Sequence, residues 1–381
     1  VPATLVSALL VVRLVDETVA FLPYGALEPI RADLGLTYTQ AGVLLGVYPG
    51  VALVGTPIGA LADRVSRRAM ASVGALGYGA GLALFALGSG FWPALVAVCV
   101  MGLAGDAMVR GVEVALVDVA GDRLDAAVAR TTLLATIGDL AGPALLATAL
   151  ATGLGWRGAF VVTAAVLVAY GVWLAMVPIP RPADAADEDA PRHGLLAVVR
   201  DRRVLRAGLL GIALDVFDEP FFAFAIAYLV TSRDCPPVVA TLAAGASVVG
   251  GVAASAIASR PRRRPLRMVH GAWLLGAGAL GMVLAPHPAV AAAGAALLGA
   301  GLTLAWIALQ GHVLTLRPGQ AGATSAIVGA VSQVAIAVPV VVGRVADRHG
   351  IALAMTLYLV VAAGFVLAAA RERRAGTAPT T

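Results

Sequence analysis

Charge is scarce in this chain, and lysine is absent altogether. Only 13% of its 381 residues are charged and 60% are hydrophobic, whereas a soluble protein keeps its charged share near ~25%. That shortage excludes an ordinary water-soluble domain and requires apolar surface in contact with lipid. The net charge of +5 rests on arginine alone. The arginines cluster in short breaks between apolar runs, a pattern of membrane loops that argues against a nucleic-acid-binding surface. Cysteine is nearly missing too, with Cys99 inside an apolar run and Cys235 in a break. These two positions exclude a thiolate metal centre and give no basis for a disulfide. A cleavable signal peptide is not expected, because the first apolar run carries Asp16 and Glu17 where a signal core is uncharged.

What the chain does have is a series of apolar runs near the ~20 residues needed to cross a bilayer. Twelve are expected, over 3–27, 38–62, 69–90, 93–119, 128–151, 158–179, 205–231, 238–258, 267–286, 289–315, 321–346 and 351–370. The one long polar segment, 180–204, holds Pro180, Pro182, an acidic run (Asp184, Asp187, Glu188, Asp189) and then Arg200, Arg202 and Arg203. It separates a first six-span bundle over 1–179 from a second over 205–371, and 372–381 forms a tail. The expected fold class is an all-α membrane protein, twelve transmembrane helices in two pseudo-symmetric six-helix bundles. With the N-terminus inside, only Arg31, Arg157, Arg233, Arg344 and Arg348 fall in outer breaks. The rest of the loop arginines are inside, so both termini and the linker are expected in the cytoplasm.

The two halves carry related signals. Residues 60–68 read ALADRVSRR and 256–264 read AIASRPRRR, each at the inner end of the second span of its half. The first span of each half carries a charged set at i, i+3, i+4: Arg13, Asp16, Glu17 and then Asp215, Asp218, Glu219. On a continuous helix each set shares one face. A charge at the bilayer centre costs ~3 kcal/mol or more on insertion scales, so these residues point to function. Acids at matched depth in two parallel halves point to a transport site at the repeat interface. The fourth span adds Asp106, Arg110 and Glu113 along one stripe, readable as an ion-pair ladder. The fifth adds Asp139 at mid-depth, either a proton site or a partner of Arg110. Pro220, directly after Glu219, removes a backbone donor and is expected to kink the seventh span. Aromatic residues flank the acids: Phe21, Tyr24, Phe217, Phe221, Phe222, Phe224 and Tyr228. Some are expected to offer ring faces to an organic cation and the rest to pack against helices or lipid.

The run Gly59-Ala-Leu-Ala-Asp63-Arg64-Val-Ser66-Arg67-Arg68 resembles the signature loop between helices 2 and 3 of the major facilitator superfamily. Ser66 stands where that family's pattern has its second glycine. Gly155-Trp156-Arg157-Gly158-Ala159-Phe160 resembles the family's Gly-Trp-Arg-x-x-Phe start of helix 6. Gly138-x-x-x-Gly142-Pro143 resembles part of the helix 5 motif of its drug:proton antiporter branch, without the trailing glycine pair. Gly105 to Asp118 is similar to the fourth helix of some exporters, with Arg110 in place of a serine. The resemblance implies a conformational switch built from Gly59, Asp63, Arg64, Arg67, Arg68 and Asp118, whose contacts form when the cavity faces outward and break when it opens inward.

The expected activity is proton-coupled efflux of a small cationic or amphipathic compound by alternating access. Asp16, Glu17, Asp106, Glu113, Asp139, Asp215, Asp218 and Glu219 outnumber Arg13 and Arg110, so the cavity favours cations. Protons and a cation competing for the same carboxylates are a sufficient basis for antiport. No cofactor is expected; H⁺ is the expected coupling ion. The expected surroundings are a prokaryotic inner membrane, no nucleic acid, and a monomer with a small-molecule or ion substrate. A hard divalent metal held by Asp16, Glu17, Asp218 and Glu219 is the alternative substrate, since oxygen ligands without nitrogen or sulfur suit Mg²⁺, Ca²⁺ or Mn²⁺. A non-transporting sensor or scaffold is the alternative of another class. An enzyme is not expected, because no nucleophile–base pair is placed at a cavity.

Overall fold

A computed structural model describes residues 3–54, 66–120, 124–179, 198–259, 268–317 and 320–375, and they are helical almost throughout. The chain divides into two compact units, Val1–Glu188 and Asp189–Thr381. The first holds α1 (Ala3–Gly25), α2 (Leu27–Leu34), α3 (Tyr38–Val54), α4 (Arg67–Leu87), α5 (Phe91–Ala120), α6 (Leu124–Ala151) and α7 (Gly155–Met176). The second holds α8 (Arg202–Phe217), α9 (Glu219–Ser232), α10 (Pro237–Ala258), α11 (Met268–Leu284), α12 (Pro288–Leu316), α13 (Ala321–Ser332), a 3-10 turn (Gln333–Ala337), α14 (Val338–His349) and α15 (Ile351–Ala375).

The described parts of the expected spans lie largely in helix. Among the described residues, eight helical stretches are both long and apolar enough to cross a membrane. The others miss that mark for identifiable reasons. α1 carries Arg13, Asp16 and Glu17 at its centre. α3 and α11 have 17 residues each and adjoin segments outside the description. The seventh span is split into α8 and α9.

Small residues let these helices approach closely, the usual means of packing where lipid is as apolar as leucine. A Cβ on Gly74 of α4 would sit 2.8 Å from the Met108 Cα of α5, and one on Gly81 2.8 Å from Met101 Cγ. The second unit repeats the contact at a constant interval. Gly271 of α11 meets Ala305 of α12, and Gly278 meets Leu298, so Gly74, Gly81, Met101 and Met108 map onto Gly271, Gly278, Leu298 and Ala305. The outward faces are apolar, with Leu87, Trp92, Trp273 and Val360 among the exposed side chains.

The end of the first unit where α2, α4 and α7 meet is braced by charge. Arg157 at the start of α7 donates to Asp33 Oδ2 of α2 at 2.7 Å and to the Gly88 carbonyl at 3.1 Å, and also to the Ala86 carbonyl at the end of α4. Trp156 Nε1 donates to the same Asp33 oxygen at 3.1 Å. An arginine satisfying the last carbonyls of a helix complements its dipole. Phe85, Trp156 and Phe160 pack beneath as one aromatic cluster, so the Gly-Trp-Arg segment ties α2, α4 and α7 together.

Candidate functional site

In the first unit the charged face of α1 lies against α6 because α6 presents backbone there. A Cβ on Gly138 would stand 2.7 Å from the Leu14 carbonyl and 2.9 Å from Glu17 Cβ; one on Gly142 would stand 2.8 Å from Phe21 Cβ. Thr18 Oγ1 is 2.6 Å from the Leu14 carbonyl and 3.5 Å from that of Gly138, bridging the two helices. The Gly138–Gly142 motif is therefore the surface on which the Asp16–Glu17 turn is seated. Pro143 follows within the same helix.

Arg13 sits among three carboxylates. Its Nη1 lies 3.4 Å from Asp16 Oδ2 and 3.5 Å from Glu17 Oε1, while Nη2 makes a close ion pair with Glu113 on α5. Arg110 turns to its own helix, where Nε donates to both oxygens of Asp106 at 2.8 and 2.7 Å. The expected Asp106–Arg110–Glu113 ladder is thus not what forms among the described residues: Arg110 pairs with Asp106, and Glu113 pairs with Arg13. Helical spacing brings all three to one stripe, but the guanidinium across the helix–helix contact is the closer partner for Glu113. Asp106 and Glu113 both lie within electrostatic range of Asp16. Counting Asp16 itself, four carboxylates face two guanidinium groups here among the described residues. Asp139 lies on α6 beside Gly138.

In the second unit the three acids do not share one helical face. α8 ends at Phe217 and α9 begins at Glu219, with Asp218 at the junction (φ −77°, ψ −136°). Pro220 is in the first turn of α9, where its missing N–H costs nothing. The expected kink is a full break of the helix, and it presents Asp218 as an exposed side chain while Asp215 and Glu219 are half-buried. Ser332 of α13, buried, lies near Asp215, with its hydroxyl donating to the Gly329 carbonyl at 3.0 Å. No spacing signal joins residues so far apart in the chain. The contact arises because α8 lays Gly208 and Gly211 against Val331 and Ser332.

The aromatic expectation narrows. Phe217 and Phe221 pack on one another at 5.3 Å between ring centroids and both pack on Tyr358; Phe224, Phe222 and Tyr228 are also buried. Their faces are occupied within the unit, which leaves half-buried Phe21 as the most open ring of the group. Of the switch residues, Gly59, Asp63 and Arg64 lie outside the described residues, as does the side chain of Asp118 on α5. Arg67 and Arg68 open α4. Ser66 is its N-cap, its Oγ accepting from the Ala69 N–H at 3.2 Å, which accounts for a hydroxyl residue where the family pattern has glycine.

The family model described as Major Facilitator Superfamily matches residues 9–339. The chain belongs to the major facilitator superfamily. Solved structures agree on the fold. This facilitator superposes on the nucleoside transporter NupG with a TM-score of 0.76 at 14% identity, covering 98% of this chain and 99% of that one. On a bacterial homolog to the human lysosomal transporter Spinster, inward-facing and occupied, the TM-score is 0.73 at 16% identity, over 96% of each chain. A chloramphenicol resistance protein of Streptomyces lividans is 31% identical over 216 residues, 54% of this chain. The aligned part spans about half of that relative's length, 53%. The facilitator is accordingly a multi-pass membrane transporter and not an enzyme.

Proposed function

We propose that this facilitator exports a small cationic or amphipathic compound in exchange for protons, by alternating access of two six-span halves in a prokaryotic inner membrane. The observation that carries the reading is the cluster of four carboxylates with two guanidinium groups in the first unit. In the first unit Asp16, Glu17, Asp106 and Glu113 face Arg13 and Arg110. In the second, Asp215, Asp218 and Glu219 gather at a helix break. Acids placed where charge is expensive attract a cation and bind protons in its absence. The inward proton gains ~2.3 kcal/mol per 100 mV of membrane potential. The resistance phenotype in the name of the Streptomyces lividans relative favours export over uptake. A hard metal cation is the weaker substrate class: among the described residues no three acidic, histidine or cysteine side chains converge to hold one.

The test is proton flux in proteoliposomes carrying a pH-sensitive dye, challenged with a panel of organic cations and divalent metals. Organic cations are expected to drive proton movement. Asp218→Asn and Glu219→Gln are each expected to abolish it while membrane expression stays intact. Full activity in the double variant overturns the assignment of these acids, and flux driven by metals alone overturns the substrate class.

A further inference from the structure

We propose that Arg13 is a built-in competitor for the transported cation, and that Glu113 sets how strongly it competes. The inference rests on the cation-for-proton reading and deepens it. Its ground is the unequal grip on one guanidinium. Arg13 Nη1 stands 3.4 Å from Asp16 and 3.5 Å from Glu17, beyond the ~2.7–2.9 Å of a strong charge-assisted hydrogen bond. Its other arm is in close contact with Glu113, which belongs to a different helix and is 45% exposed against 18% for Asp16.

Glu113 therefore draws the arginine toward the more open side of the cluster and leaves two carboxylates sharing one distant arm. Two described neighbours do not fill the gap. Arg110 spends its Nε on both oxygens of Asp106, and the Tyr170 hydroxyl, within electrostatic range of Asp16, donates to the Ala8 carbonyl at 2.8 Å. A cation arriving at Asp16 and Glu17 meets acids that are neither bare nor fully neutralised. It binds without first breaking a bidentate arginine pair, and Arg13 remains close enough to promote its release. Glu113 touches Arg13 rather than the acids that take the cation, so it is a positioning residue.

Two changes of opposite sign follow. Without the Glu113 charge, Arg13 closes on Asp16 and Glu17 and competes harder. Without Arg13, the acids are uncompensated and hold the cation tightly. The experiment measures KM and maximal rate in proteoliposomes for whichever organic cation of the panel the wild-type protein moves fastest. Glu113→Gln is expected to raise KM at least about fivefold, and Arg13→Gln to lower it by a similar factor with slower turnover, the range of a coupling between sites. The double variant is expected to match Arg13→Gln, because Glu113 acts through Arg13, and Arg13→Lys to keep KM near the wild-type value. An unchanged KM in Glu113→Gln overturns the inference. So does a double variant whose KM stands well above that of Arg13→Gln, which makes Glu113 a direct electrostatic contributor. Wild-type protein that moves no organic cation overturns the proposed function and this inference with it; wild-type transport with either of the former results overturns the inference alone.

Discussion

Glycine and arginine carry most of the meaning at the scale of single residues. Gly138 has no room for a side chain, since the Leu14 carbonyl and Glu17 Cβ stand where a Cβ would go. Gly138→Val is expected to push α6 off α1 and to cost about 1–3 kcal/mol, read as a lower unfolding temperature in detergent. Gly364→Ala, with open space around the position, is expected to change stability by less than about 1 kcal/mol. The candidate acids were legible in the sequence because an ionisable residue inside an apolar run stands out without any structure. Their partners were not. Spacing within a helix correctly paired Arg110 with Asp106, and it assigned Glu113 to the same ladder, because periodicity ranks neighbours on one helix and is blind to a guanidinium on another. Ser332 went unnoticed for the same reason: a lone serine in an apolar segment carries no signal until α8 is packed on α13.

Among the helices, the decisive feature is where they stop. Periodicity and hydropathy place helix over 205–231, and the chain interrupts it at Asp218. Pro220 forbids one backbone hydrogen bond and so marks the neighbourhood of the break, but the freed groups and the exposed Asp218 depend on what packs around them. Pro220→Ala is expected to extend helix through this junction. Slower hydrogen exchange at the amides of Glu219 and Phe221, with transport reduced at normal expression, is the outcome that checks it. The brace joining α2, α4 and α7 in the first unit behaves differently, since it joins elements instead of interrupting one. Asp33→Ala removes the acceptor shared by Trp156 and Arg157 and is expected to lower the unfolding temperature of the purified protein. The paired contacts of α4 with α5 and α11 with α12 show the repeat more directly than the charged sets do, since their glycines keep one constant interval. The packing of the first helix of each unit differs in kind. In the first unit the glycines are on α6 opposite the acids of α1; in the second they are on α8 itself, opposite Val331 and Ser332.

For the whole molecule, composition alone required a membrane protein, because 60% hydrophobic residues with 13% charge leave too little polar surface to cover the chain in water. From the arginine bias, Ser259 is expected on the inner side and Ser232 on the outer side. With Cys99 and Cys235 replaced by serine, Ser232→Cys is expected to react with an impermeant thiol reagent on intact cells and Ser259→Cys only on inverted vesicles; the reverse pattern overturns the orientation. The all-helical membrane class and the family were legible in the linear sequence, because each depends on local hydropathy, on short motifs or on turn residues that act within a few positions of themselves. Tertiary structure alone decided that Glu113 meets Arg13 across two helices and that the second acidic set straddles a break instead of lining one face. The first depends on helices far apart in sequence meeting at close range, since an ion pair goes to the nearest charge in space whatever the distance along the chain, and the second on what packs around the junction.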